Sequence, residues 1–91
     1  MAHIKTQKPK LLARISRLQG QLEGLRRAID EERDCGEVLH TLAAFRGALN
    51  GLMMEVIEGH IRHHVMEPSG EGETPAEAAE ELIEVLRRHI R

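Results

Sequence analysis

The fold is decided by residues 34–66, which read DCGEVLHTLAAFRGALNGLMMEVIEGHIRHHVM. Apolar side chains recur in this stretch at alternating spacings of four and three residues: Val38, Leu42, Phe45, Leu49, Leu52 and Val56. On an α-helix this spacing places them on one face, which can pack against other helices. Asp34 followed by Glu37 is typical of an N-cap with a capping box, so the helix should begin there. We therefore predict one long amphipathic helix at the centre of the fold.

A second helix is predicted before this stretch. Its apolar residues have the same spacing: Leu11, Ile15, Leu18, Leu22, Leu25 and Ile29. Proline lacks a backbone N–H and is tolerated near the start of a helix. Pro9 therefore places the beginning of regular helix between residues 5 and 10. The apolar pattern predicts that this helix ends near Glu32.

A third helix is predicted towards the carboxyl end. Residues 67–73 contain one proline and two glycines, a composition typical of a loop. Thr74 before Pro75 indicates an N-cap followed by proline at the first helical position. The apolar stripe of this helix is expected to be Ala79, Ile83, Leu86 and Ile90. Since no stretch has the pattern of a strand, we predict an all-α protein with a single domain over residues 1–91.

The size of the chain limits what it can bury. Its 91 residues suffice for one domain, and Phe45 is the sole aromatic residue. A chain this short buries a modest fraction of its surface, so we expect its subunits to associate. It has neither a run of about 18 apolar residues nor the apolar region of a signal peptide, which predicts a cytoplasmic protein.

Charge is distributed unevenly along the chain. Residues 1–27 contain seven Lys and Arg and one Glu, and therefore carry a net charge of +6 in a chain whose net charge is −2. Four polar residues of the first helix share one stripe: Lys10, Arg14, Arg17 and Gln21. Such a stripe can bind DNA phosphates, and Arg46 of the second helix can join it. The alternative is a basic face that is merely solvated.

A metal site is suggested near the end of the second helix. His60 and His64 are four residues apart, so both imidazoles project from one face of a helix and can share a metal ion. Transition metals normally take four to six ligands, and the chain's one cysteine, Cys35, is the natural third donor. Cys35 lies at the helix start, where the macrodipole favours a thiolate. It is equally compatible with a small buried thiol.

Cys35 cannot reach His60 within one subunit, because 1.5 Å of rise per residue separates them by more than 30 Å along one helix. An antiparallel pairing of two copies of the helix would bring Cys35 to the partner's histidines. A further donor is His3, together with the amine that removal of Met1 would leave on Ala2. The alternatives are a solvated N-terminus and surface histidines.

The pattern resembles a known family, the copper-sensitive operon repressors (CsoR), which includes nickel- and cobalt-responsive RcnR and formaldehyde-responsive FrmR. The resemblance covers nearly the whole chain. It rests on RLQGQ at Arg17–Gln21, on Cys35, on RGALNGLM at Arg46–Met53, and on His60 and His64.

The resemblance implies a three-helix protomer, an antiparallel dimer with a four-helix core, and a dimer of dimers. It also implies that the metal-free protein binds operator DNA through basic surfaces and that the effector releases it. The positions that match the sensory donors of the family are His3, Cys35, His60 and His64.

The donor types indicate which effector is expected. Copper(I) sensors of the family have a second cysteine where this chain has His64, which disfavours copper(I). One thiolate with several nitrogens suits nickel or cobalt, while zinc or copper(II) can also bind in vitro. Formaldehyde sensors of the family have proline at the second position, where this chain has Ala2. His63 is either an additional ligand or a solvent-facing residue.

There are two alternative functions, one within the same family and one from another class. A formaldehyde-responsive repressor would react through Cys35 and the N-terminal amine. A metal-binding helical bundle without a role on DNA would leave the basic stripe unexplained. The sequence has no P-loop, Rossmann glycines or grouped nucleophile and base, so we do not expect an enzyme.

Overall fold

The computed structural model describes residues 2–66 and 72–90, apart from the side chains of residues 2, 3, 5 and 6. These residues form three α-helices: α1 (Ala2–Asp30), α2 (Cys35–His60) and α3 (Pro75–His89). A π-helical segment, Ile61–Met66, follows α2 directly. No strand occurs among the described residues. The predictions of an all-α fold and of three helices are confirmed.

The beginning of α1 differs from the prediction. Helix α1 begins at Ala2, so Pro9 lies inside it rather than at its start. The fixed φ of proline is itself helical, and the helix loses one hydrogen bond at this position. The loss of this one hydrogen bond does not end α1, which continues on both sides of Pro9.

A left-handed residue closes α1. The N–H of Arg33 donates to the carbonyl of Ala28 at 3.0 Å, and the N–H of Glu32 donates to the carbonyl of Ile29 at 3.1 Å. These two bonds form a Schellman motif, whose penultimate residue requires a positive φ. Glu32 supplies it with φ 56°. A non-glycine residue therefore occupies a position that favours glycine.

Asp34 caps α2 as predicted, but within the described residues Glu37 does not complete the predicted capping box. A carboxylate oxygen of Asp34, Oδ2, accepts from the N–H of Gly36 at 3.0 Å, and the carbonyl of Asp34 accepts from Val38 at 3.1 Å. The carboxylate of Glu37 accepts from the Arg33 guanidinium at 3.3 Å. The Asp34 carboxylate thus satisfies the N–H group of Gly36, which the first turn of α2 leaves without a helical partner.

The chain divides into two compact units, of which one comprises residues 7–53. This unit consists of most of α1, the turn and the first part of α2. On the predicted apolar face of α1, Leu11 and Leu18 are 6% and 8% exposed, whereas Leu22 and Ile29 are 51% and 59% exposed. One side of this apolar face is therefore covered within the chain, and the other side is exposed.

The second unit comprises residues 1–6 and 54–91. Within it the π-helical segment packs against α3. Thr74 caps α3 as predicted, because its hydroxyl accepts from the N–H of Glu77 at 3.2 Å and Pro75 follows it. The packed face of α3 differs from the predicted stripe. The fully buried residue is Ala78, while Ile83 and Ile90 are exposed within the single chain.

Replacement of Glu32 by glycine should stabilise the protein. Glycine adopts a positive φ without the steric cost that a side chain meets there, so we expect Glu32→Gly to raise the free energy of unfolding by about 1 kcal/mol. Urea denaturation at a fixed protein concentration measures the change. Glu31→Gly is the matched control, since Glu31 does not have a positive φ. An equal or lower stability of Glu32→Gly would contradict the assignment of strain to Glu32.

Candidate metal centre and nucleic-acid interface

The structure brings two predicted donors together, His60 and His64. His60 is the last residue of α2, and His64 lies in the π-helical segment that follows. The centroids of their rings are 5.3 Å apart and the ring planes are inclined by 41°. Both side chains are half-buried. This spacing lets two imidazoles converge on one ion.

The orientation of His60 is fixed by α3. Its Nε2 atom lies 2.8 Å from the backbone carbonyl of Ala78, which is fully buried. A carbonyl oxygen can only accept, so Nε2 is the protonated nitrogen of this ring and Nδ1 carries the lone pair of the neutral form. A hydrogen bond to the second ring nitrogen is the usual support of a metal-binding histidine. No spacing in the sequence indicates this bond, because the acceptor is a backbone atom.

The environment of His64 favours its neutral form. Burial lowers the pKa of His64, and the nearby positive charge of His60, when protonated, lowers it further. His63 acts in the same direction, whereas Glu81 of α3 raises the pKa slightly. Neutral imidazole is the form that binds metals. The structure therefore favours the ligating form of His64.

Two acidic residues beside this pair were not predicted. A side-chain hydrogen bond between Glu73 and Glu81 raises the pKa of Glu73, and His60 acts in the opposite direction. Both carboxyl groups thus lie close enough to the histidines to interact with them electrostatically. The signal in the sequence was only the acidic composition of residues 73–84, which does not indicate where the carboxylates lie.

The other predicted donors are not joined to the pair. Cys35 is the first residue of α2, its thiol is exposed, and it belongs to the unit of residues 7–53. The side chain of His3 lies outside the described part of the chain. Among described side chains, no group of three or more His, Cys, Asp or Glu residues is placed to hold a metal ion. Two imidazoles alone leave the coordination of a transition metal incomplete.

The residues of the predicted basic stripe differ in their exposure. Lys10 and Arg17 are exposed, as is Arg46 on α2, whereas Arg14 and Gln21 are half-buried. The Gln21 Oε1 atom is buried and has no hydrogen-bond partner among the described residues. The stripe therefore combines exposed cations at the surface with partly covered polar groups.

Arg14 is close to the backbone of α2. A Cβ atom built at Gly51 would lie 3.1 Å from the Nη1 atom of Arg14, tighter than an ordinary van der Waals contact. The guanidinium thus occupies space that the missing side chain of Gly51 leaves open. Gly51 was part of the RGALNGLM motif, but the spacing of residues in the sequence did not indicate this proximity.

Comparison with known proteins identifies the family. The family model described as metal-sensitive transcriptional repressor matches residues 7–88. The chain belongs to this family. The transcriptional repressor RcnR of Salmonella paratyphi B is 42% identical over 91 residues, covering all of both chains. A protein of Serratia marcescens described as an uncharacterized protein in the bioA 5′ region is 41% identical over the same length.

A solved structure supports the fold as well. A variant of the formaldehyde-responsive regulator FrmR from Salmonella enterica serovar Typhimurium superimposes with a TM-score of 0.81 and 34% identity. The match covers 93% of this chain and 96% of the FrmR chain. As a metal-sensitive transcriptional repressor, the protein is a DNA-binding regulator with a metal effector, and its family consists of regulators and not of enzymes. No described helix is long and apolar enough to cross a membrane.

The pKa of His64 can be tested directly. We expect His64 to titrate below the ordinary value of 6.5 in an NMR titration of the metal-free protein, because burial disfavours the imidazolium. Since the folded-state pKa is the lower one, the stability of the fold should decrease as pH falls from 6.5 towards the lower folded-state pKa of His64. His60→Ala should move the pKa of His64 upwards, because it removes a neighbouring positive charge. A value at or above 6.5 in the wild type would contradict this account.

Proposed function

We propose that the protein is a repressor that nickel or cobalt releases from operator DNA, which derepresses genes for metal efflux. The observation that carries this proposal is the His60–His64 pair, whose rings lie 5.3 Å apart in a metal-sensitive repressor. Imidazole nitrogens suit nickel and cobalt, and one thiolate adds a softer donor without selecting copper(I). The relatives named RcnR support the assignment through 42% identity over the full length.

The proposed metal ligands are His3, Cys35, His60 and His64. His60 and His64 supply only two donors. Because Cys35 cannot reach them along its own α2, we propose that Cys35 of a second subunit supplies a third donor through an antiparallel pairing of α2 with its copy. Exposed apolar residues support such a pairing: Leu39, Leu42, Leu49 and Met54 on α2. We propose an antiparallel dimer with a four-helix core and a dimer of dimers, each protomer being one domain of residues 1–91.

The proposed DNA interface is the stripe of α1 with one residue of α2: Lys10, Arg14, Arg17, Gln21 and Arg46. Phosphate binding by such cations depends on charge and on the release of counterions. Metal binding and DNA binding are linked thermodynamically. If the metal binds more tightly to the conformation that has low affinity for DNA, then DNA must weaken metal binding by the same factor. We place this regulation in the cytoplasm, where the operator is accessible.

Cobalt(II) absorption provides the test of the metal site. Titration of the reduced protein should give thiolate charge-transfer bands with weak d–d bands, as expected for a Cys and His site of high coordination number. Cys35→Ala should abolish the charge-transfer bands, and His64→Ala should alter the d–d bands. His89→Ala, at the end of α3, is the control and should leave both unchanged. Strong tetrahedral d–d bands would overturn the nickel and cobalt assignment in favour of a site of zinc-like geometry.

The DNA interface has a separate test. The metal-free protein is titrated with a duplex selected from a random-sequence library, at several salt concentrations. Arg17→Ala should weaken binding and reduce the slope of log K against log salt by about 0.9 for each phosphate that Arg17 neutralises. Arg26→Ala is the control on α1, where Arg26 pairs with Glu23 at 3.5 Å, away from the stripe. An unchanged salt slope for Arg17→Ala would exclude the stripe from DNA binding.

Formaldehyde sensing is the second candidate function. It is favoured by the exposed thiol of Cys35 and by the similarity to FrmR. Mass spectrometry after treatment with formaldehyde distinguishes the two. In a formaldehyde sensor the formaldehyde carbon should form a methylene bridge between the N-terminal amine and the Cys35 thiol, while its oxygen leaves as water with one proton from each group. Release of DNA by formaldehyde but not by nickel or cobalt would support this candidate over the first.

A further inference from the structure

Gly51 lies in the interior of α2, far from either end of the 26-residue helix. Glycine is less favourable than alanine at such a position, because it loses more backbone freedom on folding. Two other glycines in helix interiors, Gly20 and Gly47, have nothing within 4 Å of a Cβ built on them. At Gly51 the same Cβ would lie 3.1 Å from the Arg14 guanidinium. Gly51 thus differs from Gly20 and Gly47, because the Arg14 guanidinium lies next to the position that a side chain at Gly51 would occupy.

The neighbour belongs to the basic stripe. Arg14 is half-buried, whereas Lys10 and Arg17, one turn away on either side, are exposed. An arginine that is free in solvent samples many rotamers and loses this freedom when it binds a phosphate. A guanidinium that already rests against a helix backbone loses less, so its interaction with DNA is preorganised. Arg14 is therefore placed differently from the two cations beside it.

We propose that Gly51 is a positioning residue for DNA binding: its missing side chain makes the space in which α2 holds the Arg14 guanidinium on the DNA-binding face. The proposal rests on the proposed function of the stripe and adds a residue that does not itself touch DNA. A methyl group at position 51 displaces the guanidinium by a few tenths of an ångström. A leucine side chain displaces it from this position altogether.

A double-mutant cycle tests the proposal. Binding of the metal-free protein to the selected duplex is measured for the wild type, Gly51→Ala, Arg14→Ala and the double variant. We expect Gly51→Ala to weaken DNA binding about threefold and Gly51→Leu about tenfold or more, the range of one phosphate interaction. In the Arg14→Ala background Gly51→Ala should have no further effect, because its action passes through Arg14.

Controls separate positioning from folding. Gly20→Ala makes the same substitution in the interior of α1, off the stripe and in open space, and should leave DNA affinity unchanged. Helical circular dichroism and the cobalt(II) spectrum of Gly51→Ala should match those of the wild type. The folding of Gly51→Leu is judged by the same two spectra, and Gly51→Ala carries the test if leucine prevents folding.

Two outcomes would overturn the proposal, and they differ from failure of the stripe itself. If Gly51→Ala weakens DNA binding equally with and without Arg14, Gly51 does not act through Arg14. If Arg14→Ala weakens binding while Gly51→Ala leaves it unchanged, the stripe binds DNA but Gly51 does not position it. If Arg14→Ala has no effect on DNA affinity, both the role of Arg14 in the interface and that of Gly51 are wrong.

Discussion

The chain has more apolar helix surface than it can cover by itself, and this constraint governs its architecture. On α1 the row that contains Leu11 and Leu18 is buried, while the row that contains Leu22 and Ile29 faces outwards. Complete burial of one such side chain contributes about 1.5–3 kcal/mol. Several exposed side chains on α1 and α2 therefore provide a large driving force for association. The proposed assembly uses that surface and at the same time brings in the cysteine that the histidine pair lacks.

The region around His60 connects the candidate metal centre to α3. Its imidazole donates to a buried carbonyl of α3, and the π-helical segment that holds His64 packs against the same helix. π-helical turns are rare in proteins, and those that occur often lie at functional sites. A movement of either imidazole ring would therefore act on α3, because His60 is hydrogen-bonded to α3 and His64 lies in a segment that packs against α3. The candidate metal centre and α3 are therefore linked by direct contacts within this unit.

Features that depend on neighbouring residues in the chain were predictable. The helices α1 and α2, the Asp34 and Thr74 caps and the proximity of His60 to His64 all follow from short spacings along the chain. Features that depend on tertiary structure were not predictable. The packed face of α3 is set by the π-helical segment, so Ala78 is buried in place of Ile83. The approach of Arg14 to Gly51 joins two helices, and no local spacing encodes it. The proposed approach of Cys35 to the histidines involves a second subunit, so no spacing within one chain encodes it.

The hydrogen bond of His60 also determines which nitrogen of its ring would hold an ion. With Nε2 bonded to Ala78, the nitrogen with the lone pair is Nδ1, the one nearer the main chain. An ion held by His60 would be bound through this nitrogen, on a ring that the hydrogen bond to α3 helps to orient. Movement of such an ion would therefore act on α2 through His60 and on α3 through the carbonyl of Ala78.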